Sequence, residues 1–429
     1  MKNNLNNLRL AALPLSLTLI SILAGSVVNR VMVVELGLPV TLAGLFIAIP
    51  LLIAPVRVWL GHRSDAYPIR GLRREPYIVI GAMMAGVGAA VSISLVLRAT
   101  ELFSLLAVAV LLFLILYGVG KNLTDNTFQA LIADKFEAGP SRSRAATLYE
   151  VVRMIGLIMG AGIVGTALSP YTPEKLTTLV IVLGAMAAVL SVFAVYKQEP
   201  RGEAATAASE AARSINFKDD FLTMLWPDPQ VRLFFAIITL TLLGTQMQDV
   251  LLEPYGGLLF GMDVKATTGL TMFWGLGILV AMLLSGLFLL KKFKSNSVFR
   301  AGLLIVVASF PIIIAAGAME SKPLLQLAVI GLGFGTGISG ASLLATMVAF
   351  TTPQRAGLLV GLWGMAHQFG RALASLLGGI TVDSMMAITG ENALVAYSTA
   401  FALEAVMLLI AVVLIGKLHI EKAAVLQEM

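Results

Sequence analysis

The chain has 429 residues, of which 58% are apolar and 13% charged, with no cysteine and three histidines. Twelve bilayer-spanning helices of ~20 residues would use roughly 240 apolar positions, and a mean hydropathy of +0.91 means more apolar surface than one or two soluble cores can hide. A soluble enzyme, disulfides and thiolate metal sites are therefore excluded, and three histidines leave little scope for a metal centre.

Apolar runs place spans at 10–34, 40–60, 76–97, 102–122, 147–168, 176–196, 231–252, 269–290, 298–318, 324–349, 357–386 and 393–416. This is an all-α polytopic membrane protein with twelve transmembrane helices. Lys2 and Arg9 precede an apolar stretch, Leu10 to Val28, that is longer than a signal-peptide core, so the first span reads as an uncleaved signal anchor. The fifth and eleventh spans are interrupted by Glu150 and Arg153 and by His367 and Arg371.

Lys and Arg crowd alternate loops, as in Arg63, Arg70, Arg73 and Arg74 or Lys291, Lys292, Lys294 and Arg300. The opposite loops hold only Arg98, Lys175, Lys265 and Lys322. Both termini are therefore expected in the cytoplasm. The net charge of +6 is a topology signal and not a nucleic-acid footprint.

The longest polar interval, 197–230, divides a six-helix half, 1–196, from a second, 231–429. Phe217, Phe221, Leu222, Leu225 and Trp226, interleaved with Lys218, Asp219 and Asp220, suit an interfacial amphipathic helix or a segment packed under the bundle mouth. Asp228 fits an N-cap with Pro229 at the first helical position. The halves echo one another. Arg153 to Gly160 matches the spacing of Arg371 to Gly378, and Asn29-Arg30 with Glu35 resembles Gln248-Asp249 with Glu253.

Gly61-His-Arg-Ser-Asp65 followed by Arg70-Gly71-Leu-Arg73-Arg74 resembles the signature of the major facilitator superfamily between its second and third spans, here with an insertion. A carboxylate and cations at helix ends suit a latch between neighbouring helices in one gating state. The resemblance implies the facilitator fold, two pseudo-symmetric halves of six helices whose first and fourth helices face a central cavity. Gly335-Thr-Gly337-Ile-Ser-Gly340 matches a dinucleotide loop in letters only. It sits inside an apolar span with no preceding strand, and reads, like Gly156, Gly160, Gly162 and Gly165, as a small-residue face for helix contact.

A lone charge at mid-bilayer costs roughly 2.5–3.5 kcal/mol on the most permissive scale, so buried charges are expected in pairs or facing a cavity. Arg30 and Asp249 occupy echoing positions with opposite signs and are expected to face each other across the two halves. Glu150 and Arg153, at i and i+3, are placed to neutralise one another. Lys121, Asp125 and Gln129 form a stripe at i+4 spacing, either within the membrane or on a helical extension beyond it, while snorkelling is the expectation for Arg57 and Lys121. Glu253 and Arg371 complete the set expected at a cavity or helix interface.

In continuous phrases the chain resembles the bacteriochlorophyll delivery family, the PucC/LhaA group of light-harvesting complex assembly factors within the facilitators. The phrases are Asn29-Arg-Val-Met-Val-Val-Glu35-Leu-Gly37, Pro50-Leu-Leu-Ile-Ala-Pro55-Val-Arg57, Arg73-Arg-Glu-Pro-Tyr77, Trp226-Pro-Asp228-Pro229 and Gln248-Asp249-Val-Leu-Leu-Glu253-Pro-Tyr-Gly256-Gly257. The resemblance implies a bacterial inner or photosynthetic membrane protein without catalytic chemistry or covalent cofactor. It implies one that supplies (bacterio)chlorophyll or a precursor to light-harvesting or photosystem polypeptides, near the (bacterio)chlorophyll synthase. His367 is then a candidate axial ligand to chlorin magnesium, set against the commoner role of a histidine bridging two helices. Two rivals stay open: an ion-coupled transporter of a small solute that uses Asp249, Glu35 or Asp125, and a scaffold that holds partner helices without pigment.

Overall fold

In hydrocarbon an isolated segment satisfies its backbone groups only as a helix, and long apolar runs punctuated by short polar stretches fold accordingly. The computed structural model describes residues 8–98, 105–136, 140–199, 229–349 and 356–418. Among these, twelve helical stretches are long and apolar enough to cross a membrane. The first half comprises α1 (Ala12–Ile22), α2 (Val40–Leu52), α3 (Ala54–Ala66), α4 (Glu75–Val96), α5 (Leu105–Lys135), α6 (Pro140–Ala167) and α7 (Pro173–Val195). The second comprises α8 (Pro229–Gln246), α9 (Gln248–Phe260), α10 (Val264–Leu284), α11 (Ser295–Ala318), α12 (Lys322–Ala349), α13 (Ala356–Thr389) and α14 (Ala393–Ile415). The expected amphipathic segment, the Asp228 cap and His419 lie outside the described residues.

Three expected spans are built differently. The second breaks at Ile53 into α2 and α3, where Pro50 and Pro55 bracket the joint and remove backbone donors. The seventh breaks at Met247 between α8 and α9. The helix of the fourth span runs on past residue 122 to Lys135, so Lys121, Asp125 and Gln129 share one continuous helix. Its polar residues are absorbed inside the helix, for the Asn122 amide donates to the Gly118 carbonyl at 2.8 Å and the Thr124 hydroxyl to Gly120 at 2.9 Å.

The chain forms two compact units, one of Met1–Leu36, Ile49–Ile215 and Asp263–Thr268, the other of Gly37–Ala48, Asn216–Met262 and Gly269–Met429. In the first, α4 packs on α5 and α7, and α1 on α6 and α7. In the second, α11 packs on α12 and α14, and α8 on α13 and α14. Counted in spans, the second set is the first displaced by six, so both halves follow one packing plan. The start of α2 belongs with the second unit because the Asp383 carboxylate of α13 accepts from the Val40 and Thr41 amides at 2.9 and 2.7 Å.

Small residues set the closest approaches. A Cβ on Gly86 would lie 2.8 Å from the Gly184 carbonyl, joining α4 to α7, and one on Gly302 would lie 2.6 Å from the Ser339 nitrogen, joining α11 to α12. Gly335 meets α11 at Gly302 and Val306, while Gly337 meets Ala281 and Ile278 of α10, so the apparent nucleotide motif is used for helix contact on two sides. Gly302→Ala is expected to destabilise the protein by about 1–3 kcal/mol through overpacking. Gly269→Ala, where nothing lies within 4 Å, should be neutral or gain up to about 1 kcal/mol. Thermal unfolding of the two variants in one detergent makes the comparison.

Candidate functional site

The first span leaves α-helical geometry where its charges lie. Two π-turns, Leu23–Val27 and Val31–Glu35, flank Val28–Arg30. In an α-helix, residues five apart point about 140° from each other. The second π-turn widens the coil, and the Leu36 amide bonds to the Val31 carbonyl at 3.0 Å. Arg30, 4% exposed, thereby reaches Glu35 of its own helix at 2.5 Å. Tyr171, in the loop before α7, lies within the field of this pair. Burial pushes its phenol up to about 12; Glu35 adds to that shift and Arg30 opposes it.

In the seventh span the echoing position works differently. Asp249, in the first turn of α9, pairs with Arg371 of α13 at 2.7 Å. One turn on, the buried Glu253 accepts from the Thr271 hydroxyl of α10 at 2.8 Å. Arg30 and Asp249, expected to face each other, thus each have an ion-pair partner inside their own unit.

On α6, Glu150 and Arg153 form the expected i,i+3 pair, with Nε to Oε2 at 2.9 Å and side chains 40% and 50% exposed. Asp125 of α5 is a second carboxylate acting on Arg153. Lys121 and Arg57, for which snorkelling is expected, each reach polar neighbours. Lys121 donates to the Ser21 hydroxyl at 3.0 Å, and Arg57 to Asn126 and Gln129 at 3.3 and 3.1 Å. Ser21 belongs to α1, while the length of α5 places Asn126 and Gln129 beside Arg57. His367 is half-buried on α13, one turn before Arg371.

The signature motif divides into a latch and a turn. Asp65, at the end of α3, takes Arg73 at 3.2 Å and Arg74 at 2.5 Å, and Arg74 also reaches Asp134 of α5 at 2.7 Å. Burial opposes the Arg74 charge, but Asp134 and Asp65 outweigh it and hold the guanidinium above its ordinary value. Gly61 lets α3 approach α5, since a Cβ there would lie 2.5 Å from the Asn126 amide. Arg70 and Gly71 stand outside the latch. With φ of 53° and 77° they make a hairpin turn closed by Ile69 and Leu72 at 2.9 and 3.0 Å.

Three features of this site were missed by sequence reasoning. Glu75 accepts from the Lys197, Gln198 and Glu199 amides at 3.2, 2.7 and 2.8 Å, while Glu199 accepts from the Arg73, Arg74 and Glu75 amides at 2.6, 2.9 and 3.2 Å. This reciprocal clamp places an anion on the start of α4. Asp383 caps α2. Neither pairing leaves a local signal, because the partners are over a hundred residues apart. Glu404, near the middle of α14, is fully buried, and neither carboxyl oxygen has a hydrogen-bond partner among the described residues. Its signal was available as an acid inside an apolar run.

Helices bent at buried charges, a helix-end latch and one packing plan in both halves define a polytopic membrane protein of the major facilitator fold. The nucleoside transporter NupG superposes with a TM-score of 0.72 at 16% identity, covering 96% of this chain and 99% of that one. The family described as PUCC protein matches residues 27–423, and the chain belongs to it. It is 34% identical over 384 residues to an uncharacterized protein of the puhA-bchM intergenic region of Rhodobacter capsulatus, covering 88% of this chain and 80% of that one. It is 30% identical over 409 residues to a protein of the same species called bacteriochlorophyll synthase 44.5 kDa chain, covering 94% and 92%.

Asp249→Ala and Arg371→Ala are each expected to cost about 2 kcal/mol, between the exposed and buried limits for ion pairs. The double variant should lose at least about 1 kcal/mol less than the sum. Strictly additive losses in detergent unfolding would remove the pairing.

Proposed function

We propose that this protein holds a (bacterio)chlorophyll or a precursor in a facilitator-type cavity and passes it to nascent light-harvesting or photosystem polypeptides. It does so close to the pigment synthase, without catalytic chemistry of its own. The observation that carries this reading is family membership along residues 27–423. The name of one relative, which refers to bacteriochlorophyll synthase, supports it. The distribution of Lys and Arg supports a bacterial cytoplasmic membrane location with both termini inside. In this reading His367 offers an imidazole to chlorin magnesium, a ligand chemistry that neutral imidazole suits.

The full chain, expressed in a pigment-making host and purified in detergent, is expected to show a stoichiometric chlorin absorption band that His367→Ala weakens. A band indifferent to His367 keeps the function and discards that ligand. A colourless preparation with unchanged pigment loading in a deletion strain overturns the reading. Light-harvesting or synthase partners in that colourless sample would point to a scaffold.

Glu404 favours a second reading, ion-coupled transport of a small solute. A carboxyl fully buried at mid-span, with Asp249 as the charge acting on it, is the kind of group that exchanges a proton during a transport cycle. Glu404→Gln keeps the shape of the side chain, and on this reading should leave folding intact while abolishing dependence on the proton gradient. Transport in proteoliposomes with and without the gradient measures this, and unaltered dependence rejects Glu404 as the coupling group.

A further inference from the structure

At the basic end of the first unit, the outer face of α3, α4 and α5 carries a groove of about 520 Å³ that the facilitator latch and the pigment reading leave unused. Its floor is apolar, with Ile80 and Met84 from α4 and Val119 and Leu123 from α5. Arg63 stands at its mouth, with Cζ 5.6 Å from the Trp59 ring centroid and 5.7 Å from that of Tyr67. Both rings are more than half exposed, at 56% and 53%. Amphipathic rings of this kind settle at the headgroup level of a bilayer.

The charge balance around the groove picks out Arg63. Arg73 and Arg74 are committed to Asp65 and Asp134, and Arg57 to Asn126 and Gln129. Arg63 makes no ion pair among the described residues, and its guanidinium is exposed. A planar, weakly hydrated cation stacked between two aromatic rings presents its fork to an oxyanion, and phosphate oxygens match that geometry. From Tyr77 to Met84 the groove descends about 10 Å along α4, at 1.5 Å per residue, into a depth where only hydrocarbon is a good neighbour. One ligand must therefore join an anionic phosphate head to an apolar chain.

We infer that this groove is a binding site for a single anionic phospholipid, with its phosphate on Arg63 between Trp59 and Tyr67 and one acyl chain against Ile80, Met84, Val119 and Leu123. Ordinary boundary lipid would need neither an uncompensated guanidinium nor a concave floor. The site is independent of pigment handling, and a lipid there would brace the α3–α4 turn on the same helix ends that the Asp65 latch joins.

The test uses the delipidated full chain in detergent, titrated with phosphatidylglycerol or phosphatidylcholine whose acyl chains are brominated to quench tryptophan. The part of the quenching that is lost in Trp59→Phe reports this groove, separating it from the other three tryptophans. Phosphatidylglycerol is expected to quench that component at about tenfold lower concentration than phosphatidylcholine, and Arg63→Gln should erase the difference, as a charge-assisted contact requires. Arg63→Lys, which keeps charge but loses the planar fork, should fall between and serves if Arg63→Gln does not fold. Equal quenching by both lipids, or a preference that survives Arg63→Gln, overturns the assignment. So does displacement of the lipid by a chlorin with an isoprenoid tail at lower concentration, which would make the groove a pigment site.

Discussion

A charge that enters hydrocarbon must bring its counter-charge or its hydrogen bonds with it, because no water waits there to supply them. Much of what is irregular in this protein follows from that constraint. The first span is wound into π-turns around Arg30, and the local widening is what lets a residue five positions on become its partner. The seventh breaks just before Asp249, and its compensation comes from another helix. Lys121 finds an acceptor on α1, and Arg57 finds two on α5 because that helix continues through its polar residues. Regular winding of the first span would have left Arg30 and Glu35 on different faces of the helix.

The same demand operates at the helix ends. Arg73 and Arg74 carry two positive charges into a buried position, and Asp65 and Asp134 accompany them from α3 and α5. Glu75 and Glu199 each satisfy the other's backbone amides. The result is a plate of compensated charge binding α3, α4, α5 and the end of α7. A conformational change that separates these helices must break several charge-assisted bonds together, so such a plate favours two discrete arrangements over a continuum.

How much of this was legible in the sequence depended on distance along the chain. The spans were legible because each is a long apolar run, and the pairing of Glu150 with Arg153 because helical spacing dictates it. The latch was legible in its residue types, though Arg70 and Gly71 went to a turn that positive φ angles require. The echo between Asn29-Arg30 and Gln248-Asp249 falls on two spans that both depart from regular winding, and each of its charges has an ion-pair partner inside its own unit. Asp249 with Arg371, Asp383 with the start of α2, and Glu75 with Glu199 unite residues more than a hundred positions apart, and periodicity carries no information about those. The helix of the fourth span runs on to Lys135 as the extension allowed for Lys121, Asp125 and Gln129, and back-bonding to the preceding turn lets it absorb its polar residues.

The two halves share a packing plan and differ in how they hold their charges, and that difference has a mechanical consequence. The Arg30–Glu35 pair lies within one helix, and its geometry depends on the π-winding of that helix. The Asp249–Arg371 pair joins α9 to α13, and separating it requires two helices to move apart. Glu404 lies on α14, the helix that packs against α8, α9, α11 and α13, and it is the one of these acids left without any hydrogen bond among the described residues. The second half therefore holds one acid, Asp249, paired with a guanidinium and another, Glu404, buried with no hydrogen bond among the described residues. A carboxyl buried without counter-charge or hydrogen bond is costly to keep there, so the helices packed on α14 must supply through their own contacts the energy that holds it in place.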